Sequence, residues 1–176
     1  MADYPYGYCG MPCALCSRYW TNGASRCPGC SANGYYTDLC KVHHCCRDSA
    51  IKHCGLCADF PCKRLGSMGD FRDLNTGNVK QRTCRSIAAD GFDAWYADYC
   101  ERADLLAVAL ARYNDGRMKR YLCELFIQKD VEALREIMRQ AEALAGTPKE
   151  NGKAFRTIVE NCIEMNNARK DDAYGA

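Results

Sequence analysis

The chain has 176 residues, 15 of them cysteine, and its formal net charge at pH 7 is only +2. This length allows one compact unit or two small ones. Residues 1–66 hold 7 basic and 4 acidic side chains and residues 67–176 hold 17 and 18, which argues against the strong positive field of a nucleic-acid-binding protein.

The sequence contains neither a secretory signal nor a membrane-crossing segment. Its first residues, MADYPYGY, lack a basic stretch followed by an apolar one, and no apolar run approaches the about 18 residues that cross a bilayer. We therefore expect a cytoplasmic protein with no membrane partner, in which the cysteines stay reduced. The odd cysteine count also disfavours a disulfide framework, which is the main alternative for so cysteine-rich a chain.

Most of the cysteines are concentrated near the N-terminus, where 11 of the 15 lie in the first 62 residues. Two thiolates separated by two residues can hold one metal ion from a tight loop, and two such pairs complete a tetrahedral site. Ten cysteines of this region are the candidate metal ligands: Cys9, Cys13, Cys16, Cys27, Cys30, Cys40, Cys45, Cys54, Cys57 and Cys62.

Two predicted sites use eight of these ten cysteines. The first uses the two Cys-x2-Cys pairs, which are Cys13, Cys16, Cys27 and Cys30. The second uses Cys54 and Cys57 with two of Cys40, Cys45 and Cys62. Cys9 is left open between the two sites, because its spacing from Cys13 is compatible with either. About two zinc ions are therefore expected.

Zinc is preferred because Cys-x2-Cys pairs beside Pro or Gly are typical of closed structural zinc sites, known as zinc knuckles. An iron–sulfur cluster is the alternative, since thiolate ligands alone do not distinguish iron from zinc. A thioredoxin-like redox dithiol at Cys27-Pro-Gly-Cys30 is disfavoured because turn-rich segments flank it instead of a strand and a helix.

The remaining chemically active side chains receive simpler interpretations. His43, His44 and His53 are expected to support the ligands or to lie at the surface, because cysteines are plentiful around them. Cys46 is interpreted as a spare thiol. The four single cysteines downstream are interpreted as small buried side chains on helices: Cys84, Cys100, Cys123 and Cys162.

The hydrophobic pattern changes near residue 66. Residues 1–66 contain only six Val, Ile or Leu, so metal binding would have to supply part of their folding free energy. Downstream, apolar residues recur with helical period and predict helices over 78–89, 93–113 and 116–128, a fourth capped by Asp130 and a fifth starting at the capping box 147–150. Short helical pieces are predicted near 47–54 and 61–66.

The predicted fold is a small, loop-dominated, cysteine-rich metal-binding module followed by an all-α bundle of about five helices. The module covers residues 1–66, the helical region packed on it covers 67–168, and residues 169–176 are predicted to be a disordered tail.

The cysteine string resembles a bacterial and archaeal family catalogued as domain of unknown function 3795. The resemblance rests on Cys9-Gly-x-x-Cys13-x-x-Cys16, Cys27-Pro-Gly-Cys30 and Cys54-x-x-Cys57-Ala-Asp-Phe-Pro-Cys62-Lys-Arg-Leu. The segments 90–95 and 113–117 resemble the helical continuation of longer members. The resemblance implies zinc binding and transfers no catalytic residue, while His43, His44 and Cys46 depart from the family pattern.

The leading hypothesis is a non-catalytic zinc-binding protein with an unassigned role, for which a protein partner is one candidate. The sequence shows no Ser/His/Asp set, phosphate-binding glycine loop or His-Glu-x-x-His motif, so no catalytic residue is predicted. An iron–sulfur or thiol redox protein is the first alternative, and a nucleic-acid-associated zinc protein is the second.

Overall fold

The computed structural model of the chain describes residues 3–67 and 79–174. All regular structure in these two ranges is helical. The α-helices are α1 (Lys41–Asp48), α2 (Lys63–Gly66), α3 (Val79–Asp90), α4 (Phe92–Tyr113), α5 (Lys119–Gln128), α6 (Val131–Ala141) and α7 (Pro148–Tyr174). Short 3-10 turns occur at Cys13–Leu15, Cys30–Ala32 and Cys54–Leu56.

The N-terminal region is loop-rich, as predicted, and up to residue 40 it contains only two of the 3-10 turns. The five long helices predicted downstream correspond to α3 through α7. The all-helical character and the loop-rich N-terminal region are therefore confirmed. Within the described residues, no helix has the length and apolar character needed to cross a membrane.

The first short helix lies earlier than predicted. The sequence indicated a helical piece near 47–54, whereas α1 spans Lys41–Asp48. It begins there because the Cys40 sulfur caps it, accepting a hydrogen bond from the backbone N–H of His43 at 3.4 Å. It ends before Ala50, whose φ of +54° is incompatible with continuing the helix. Cysteine is not among the preferred capping residues, so sequence rules do not predict this start.

Capping side chains set the ends of the later helices. The backbone N–H of Thr147 donates to Glu150 at 2.8 Å and the N–H of Glu150 donates to the Thr147 hydroxyl at 3.4 Å, which is the reciprocal capping box that was predicted. Asp130 accepts from the N–H of Ala133 at 2.8 Å and starts α6. The α7 backbone continues to Tyr174. Residues 169–174 of the predicted disordered tail are therefore helical. A formed helix extends readily because each added residue gains a backbone hydrogen bond.

Helix α4 occupies the centre of the main core and packs against α3, α5, α6 and α7. Its buried face carries Tyr99, Leu106 and Tyr113, and the ring of Tyr113 stacks on Phe155 of α7 with centroids 4.5 Å apart. Ala14 and Leu15, which come from the cysteine-rich region, belong to the same buried cluster. The change in composition near residue 66 therefore does not separate two independent cores.

An aromatic cluster fixes the N-terminal loop segment to α4. The Tyr6 ring lies 5.2 Å from that of Phe92 and 6.1 Å from that of Trp95, and Trp95 stacks on Tyr99 at 5.1 Å. The Tyr99 hydroxyl accepts from the N–H of Ala14 at 2.7 Å and donates to the carbonyl of Pro5. These contacts hold the first cysteine loop in one position against the helices.

Candidate metal centre

Six of the ten predicted ligands line a single cavity of about 560 Å³, which lies between the N-terminal loops and the start of α1. They are Cys9, Cys13, Cys16, Cys27, Cys30 and Cys40. This set includes all four members of the first predicted site. The other four candidates, Cys45, Cys54, Cys57 and Cys62, do not line this cavity.

The two Cys-x2-Cys pairs of the first site line the same cavity, and Cys30 of the second pair contacts Cys13 of the first. The backbone N–H of Cys30 donates to the Cys13 sulfur at 3.4 Å. The interaction between the Cys13 and Cys30 thiols, together with burial, raises the pKa of Cys13, and the same interaction lowers the pKa of Cys30. Burial raises the pKa of Cys16, and its neighbour Cys27 adds to that rise. Both thiols of the first pair are therefore influenced by a thiol of the second pair.

Backbone N–H groups also point at sulfur atoms elsewhere in the region. The N–H of His43 donates to Cys40, as described above, and the N–H of Leu65 donates to Cys62 at 3.5 Å. Hydrogen bonds of this kind orient sulfur ligands around a metal ion.

Gly29 permits the close approach of the two pairs. It has a φ of +93°, and a Cβ placed on it would lie 2.5 Å from Pro5 Cβ and 3.3 Å from Cys13 Cβ. A side chain at this position would therefore be strained and would push the loop carrying Cys30 away from Cys13.

We expect Gly29→Ala to destabilise the protein and to lower its zinc content. Gly23→Ala is the matched control, because Gly23 has a similar φ of +82° but nothing within 4 Å of the added Cβ. The control should cost only the backbone strain, about 1–2 kcal/mol, and should leave the zinc content unchanged. Urea unfolding and elemental analysis of both variants measure the difference, and equal effects would contradict this role for Gly29.

The cavity has a cationic lining. Arg18, Lys41, Arg64 and Lys80 line it, and no Asp or Glu is among its described lining residues. Lys80, from α3, is only 5% exposed. Burial raises the pKa of the Cys9 thiol to about 12, and Lys80 opposes that rise. Four thiolates around a divalent ion carry a net charge of about −2, so this lining would offset the charge of an occupied site.

His43 and His53 are both buried, so neither lies at the surface, which was one of the two expectations for the histidines. His43 lines the cavity, is 7% exposed, and its Nδ1 has no hydrogen-bond partner in the described structure. His53 is completely buried, and its Nδ1 accepts from the N–H of Gly55 at 3.0 Å. Burial lowers the pKa of His53 to about 4, so this ring is neutral at pH 7. His44 is partly exposed and contacts the carbonyl of Asp38 at 2.9 Å.

A second group of thiols lies between α1, the Cys54–Leu56 turn and α3. The Cys46 and Cys54 sulfurs are 3.5 Å apart and buried. Cys84 is 0% exposed, and burial raises its pKa to about 12, with the thiols of Cys9 and Cys46 adding to the rise. Cys62 packs at the edge of this group.

Sequence reasoning missed two members of this second group. Cys46 was treated as a spare thiol, although its position beside Cys45 was a signal that one of the two would face inwards. Cys84 was interpreted as a small buried side chain, which its burial agrees with, but the sequence held no sign of its thiol neighbours. The predicted ligands Cys45 and Cys57 are partly exposed and are not among the residues of this described cluster.

The sulfur atoms are near one another without forming a finished coordination shell. In residues 3–67 and 79–174, no three His, Cys, Asp or Glu side chains are placed to hold an ion as they stand. A cysteine side chain reorients its sulfur by one χ1 rotation between staggered positions. The donor set itself, thiols with histidine nearby, fits zinc or an iron–sulfur cluster.

The described residues form an all-helical, cysteine-rich protein. One comparison with known families matches the cysteine-rich segment. The family model described as protein of unknown function (DUF3795) matches residues 5–67. The family recognised from the sequence is thus confirmed for this segment, which contains all ten candidate ligands. The helical segments 90–95 and 113–117 lie outside the match. No curated protein and no solved structure shows significant similarity to the chain.

Proposed function

We propose that this protein is a non-catalytic zinc-binding protein, in which Cys13, Cys16, Cys27 and Cys30 bind one structural zinc ion. The observation that carries the proposal is that both Cys-x2-Cys pairs line one cavity, with Cys13 in contact with Cys30. The helices support this module and offer a surface for a partner that stays unassigned.

Zinc would have a structural purpose in the cysteine-rich region. Apart from Ala14 and Leu15, which belong to the main core, the aliphatic side chains buried before residue 67 are Val42 and Leu65. Such a small apolar cluster offsets little of the conformational entropy of its loops. Binding of a structural zinc ion contributes about 10–16 kcal/mol in zinc-finger peptides at pH 7, which is ample to order these loops.

An iron–sulfur redox protein is the second candidate. It is favoured by the number of thiols in the cavity, since six cysteines exceed what one tetrahedral zinc ion requires. The cationic lining also suits a negatively charged cluster. Anaerobic purification, elemental analysis and a visible spectrum separate the two candidates, because a zinc protein is colourless whereas an iron–sulfur cluster absorbs visible light.

The direct test of the zinc proposal is Cys13→Ser. We expect this variant to lose about one zinc ion per chain, because removal of one thiolate opens the coordination shell. Cys162→Ser is the matched control: Cys162 is also buried, at 5% exposure, but lies on α7. The control should keep the zinc content of the unaltered protein. Stoichiometric iron in the unaltered protein, or full zinc content in Cys13→Ser, would contradict the proposal.

A further inference from the structure

The second thiol group forms a small core of its own. Its buried members are Cys9, Val42, Cys46, Cys54, Leu65 and Cys84. Four of these six are cysteines, so the cluster contains more sulfur than hydrocarbon side chains. Ordinary apolar packing explains Val42 and Leu65, but it gives no reason for four cysteines to share one small buried cluster.

The separation of the two central sulfurs matches a shared metal ion. Zinc–sulfur bonds are about 2.3 Å long, and tetrahedral geometry places two sulfurs on one ion about 3.8 Å apart. The Cys46 and Cys54 sulfurs are 3.5 Å apart. Cys46 lies on α1 and Cys54 in the 3-10 turn, so this proximity is a property of the tertiary fold and not of a local knuckle.

Tight packing of the turn on α3 brings Cys84 to the same place. A Cβ on Gly55 would lie 2.6 Å from the carbonyl oxygen of Cys84 and 2.9 Å from the side chain of Ile87. The turn therefore touches the α3 backbone directly. The Cys84 thiol donates to the carbonyl of Cys9 at 3.4 Å, which places Cys9 beside Cys84.

We infer that Cys46, Cys54 and Cys84 form a second thiolate site for a zinc ion, with Cys9 as the fourth ligand. This inference rests on the proposal that the module binds zinc. It keeps Cys54 of the predicted second site, and it replaces Cys57 and the two ligands chosen from Cys40, Cys45 and Cys62 by Cys46, Cys84 and Cys9. The ion displaces the thiol protons to solvent as it binds. Cys84 then loses its hydrogen bond to Cys9 and turns its sulfur towards Cys46 and Cys54.

Positive charge is available around this site. Arg64, which lies two residues after Cys62, and Lys80 of α3 both line the adjoining cavity, which Cys9 also lines. The second ion would join α1 and the Cys54–Leu56 turn to α3, and so would fasten the N-terminal module to the helical region across the boundary near residue 66.

The test compares zinc content per chain, by elemental analysis and native mass spectrometry, in the unaltered protein and in alanine variants. Cys84→Ala and Cys46→Ala should each lose about one of two ions, and combining Cys84→Ala with Cys13→Ser should remove both. Cys100→Ala is the matched control, because Cys100 on α4 is also 0% exposed. Cys57→Ala should keep both ions.

The failures of the two proposals are distinguishable. If the unaltered protein carries no zinc, the proposed function is wrong and this inference falls with it. If Cys84→Ala keeps both ions while Cys57→Ala loses one, the second ligand set is wrong and the first site is unaffected. A disulfide between Cys46 and Cys54 in the freshly purified protein, seen as a loss of two hydrogens in the mass spectrum, would also overturn the inference.

Alkylation mapping of the unaltered protein provides a test that does not depend on the folding of a variant. With zinc present, Cys46 should be protected, whereas Cys45 should react. After chelation under conditions that preserve the helical signal, Cys46 should become reactive. A reactivity of Cys46 that does not change on chelation would overturn the second site.

Discussion

A strong chelator, which would remove the proposed zinc, is expected to expose the cysteines of residues 9–62 to thiol reagents while most of the helical circular dichroism signal remains. The two helices of the cysteine-rich region are short, with 8 residues in α1 and 4 in α2, whereas α4 alone has 22. The core around α4 consists mainly of aliphatic and aromatic side chains, so it does not need the metal to remain packed.

The structure refines where this loss of order should stop. Ala14 and Leu15 belong to the main core, and the N–H of Ala14 is bonded to Tyr99. We therefore expect hydrogen exchange after chelation to accelerate through residues 41–67 and much less at Ala14. Mass spectrometry of peptides from the metal-loaded and metal-free protein measures this gradient. Collapse of the whole helical signal on chelation would show instead that the α4 core depends on the metal.

The helices were predictable because their signals are local. Apolar residues at helical period and the Thr147–Glu150 capping box placed α3 through α7 within a few residues. The start of α1 was missed because its cap is the sulfur of Cys40, whose capping role depends on the surrounding loop geometry. Single-sequence rules contain no term for such a cap.

The two thiol groups also differ in whether their members lie close together in the sequence. The members of the first group lie in two neighbouring Cys-x2-Cys pairs, so their spacing in the sequence was enough to assign Cys13, Cys16, Cys27 and Cys30 to one predicted site. The second combines Cys46 and Cys54 with Cys84, which reaches them only because Gly55 lets the turn pack on α3. Cys123 is a further example, since it lies on α5 but near Cys16. Contacts between distant segments are properties of packing, which spacing does not encode.

Tyr99→Phe is expected to weaken the attachment of the cysteine-rich region to the helices. The Tyr99 side chain is 2% exposed, and its hydroxyl bonds both the N–H of Ala14 and the carbonyl of Pro5. Phenylalanine fills the same space but leaves both backbone groups unpaired, and each buried unpaired group costs about 1–3 kcal/mol. Because Ala14 follows Cys13 directly, the same change should weaken zinc binding at the first site.

Tyr113→Phe is the matched control for this substitution. Tyr113 is also on α4 and completely buried, but its hydroxyl donates to the carbonyl of Ala141, at the end of α6, at 3.0 Å. This variant leaves one backbone group unpaired, and the hydrogen bond that it removes joins α4 to the end of α6 and not to the cysteine-rich region, so its loss of stability should be smaller and its zinc affinity unchanged. Urea unfolding, competitive zinc titration and hydrogen exchange at Ala14 test the pair. Equal losses of stability and zinc affinity in the two variants would mean that the Tyr99 hydroxyl does not join the metal-binding region to α4.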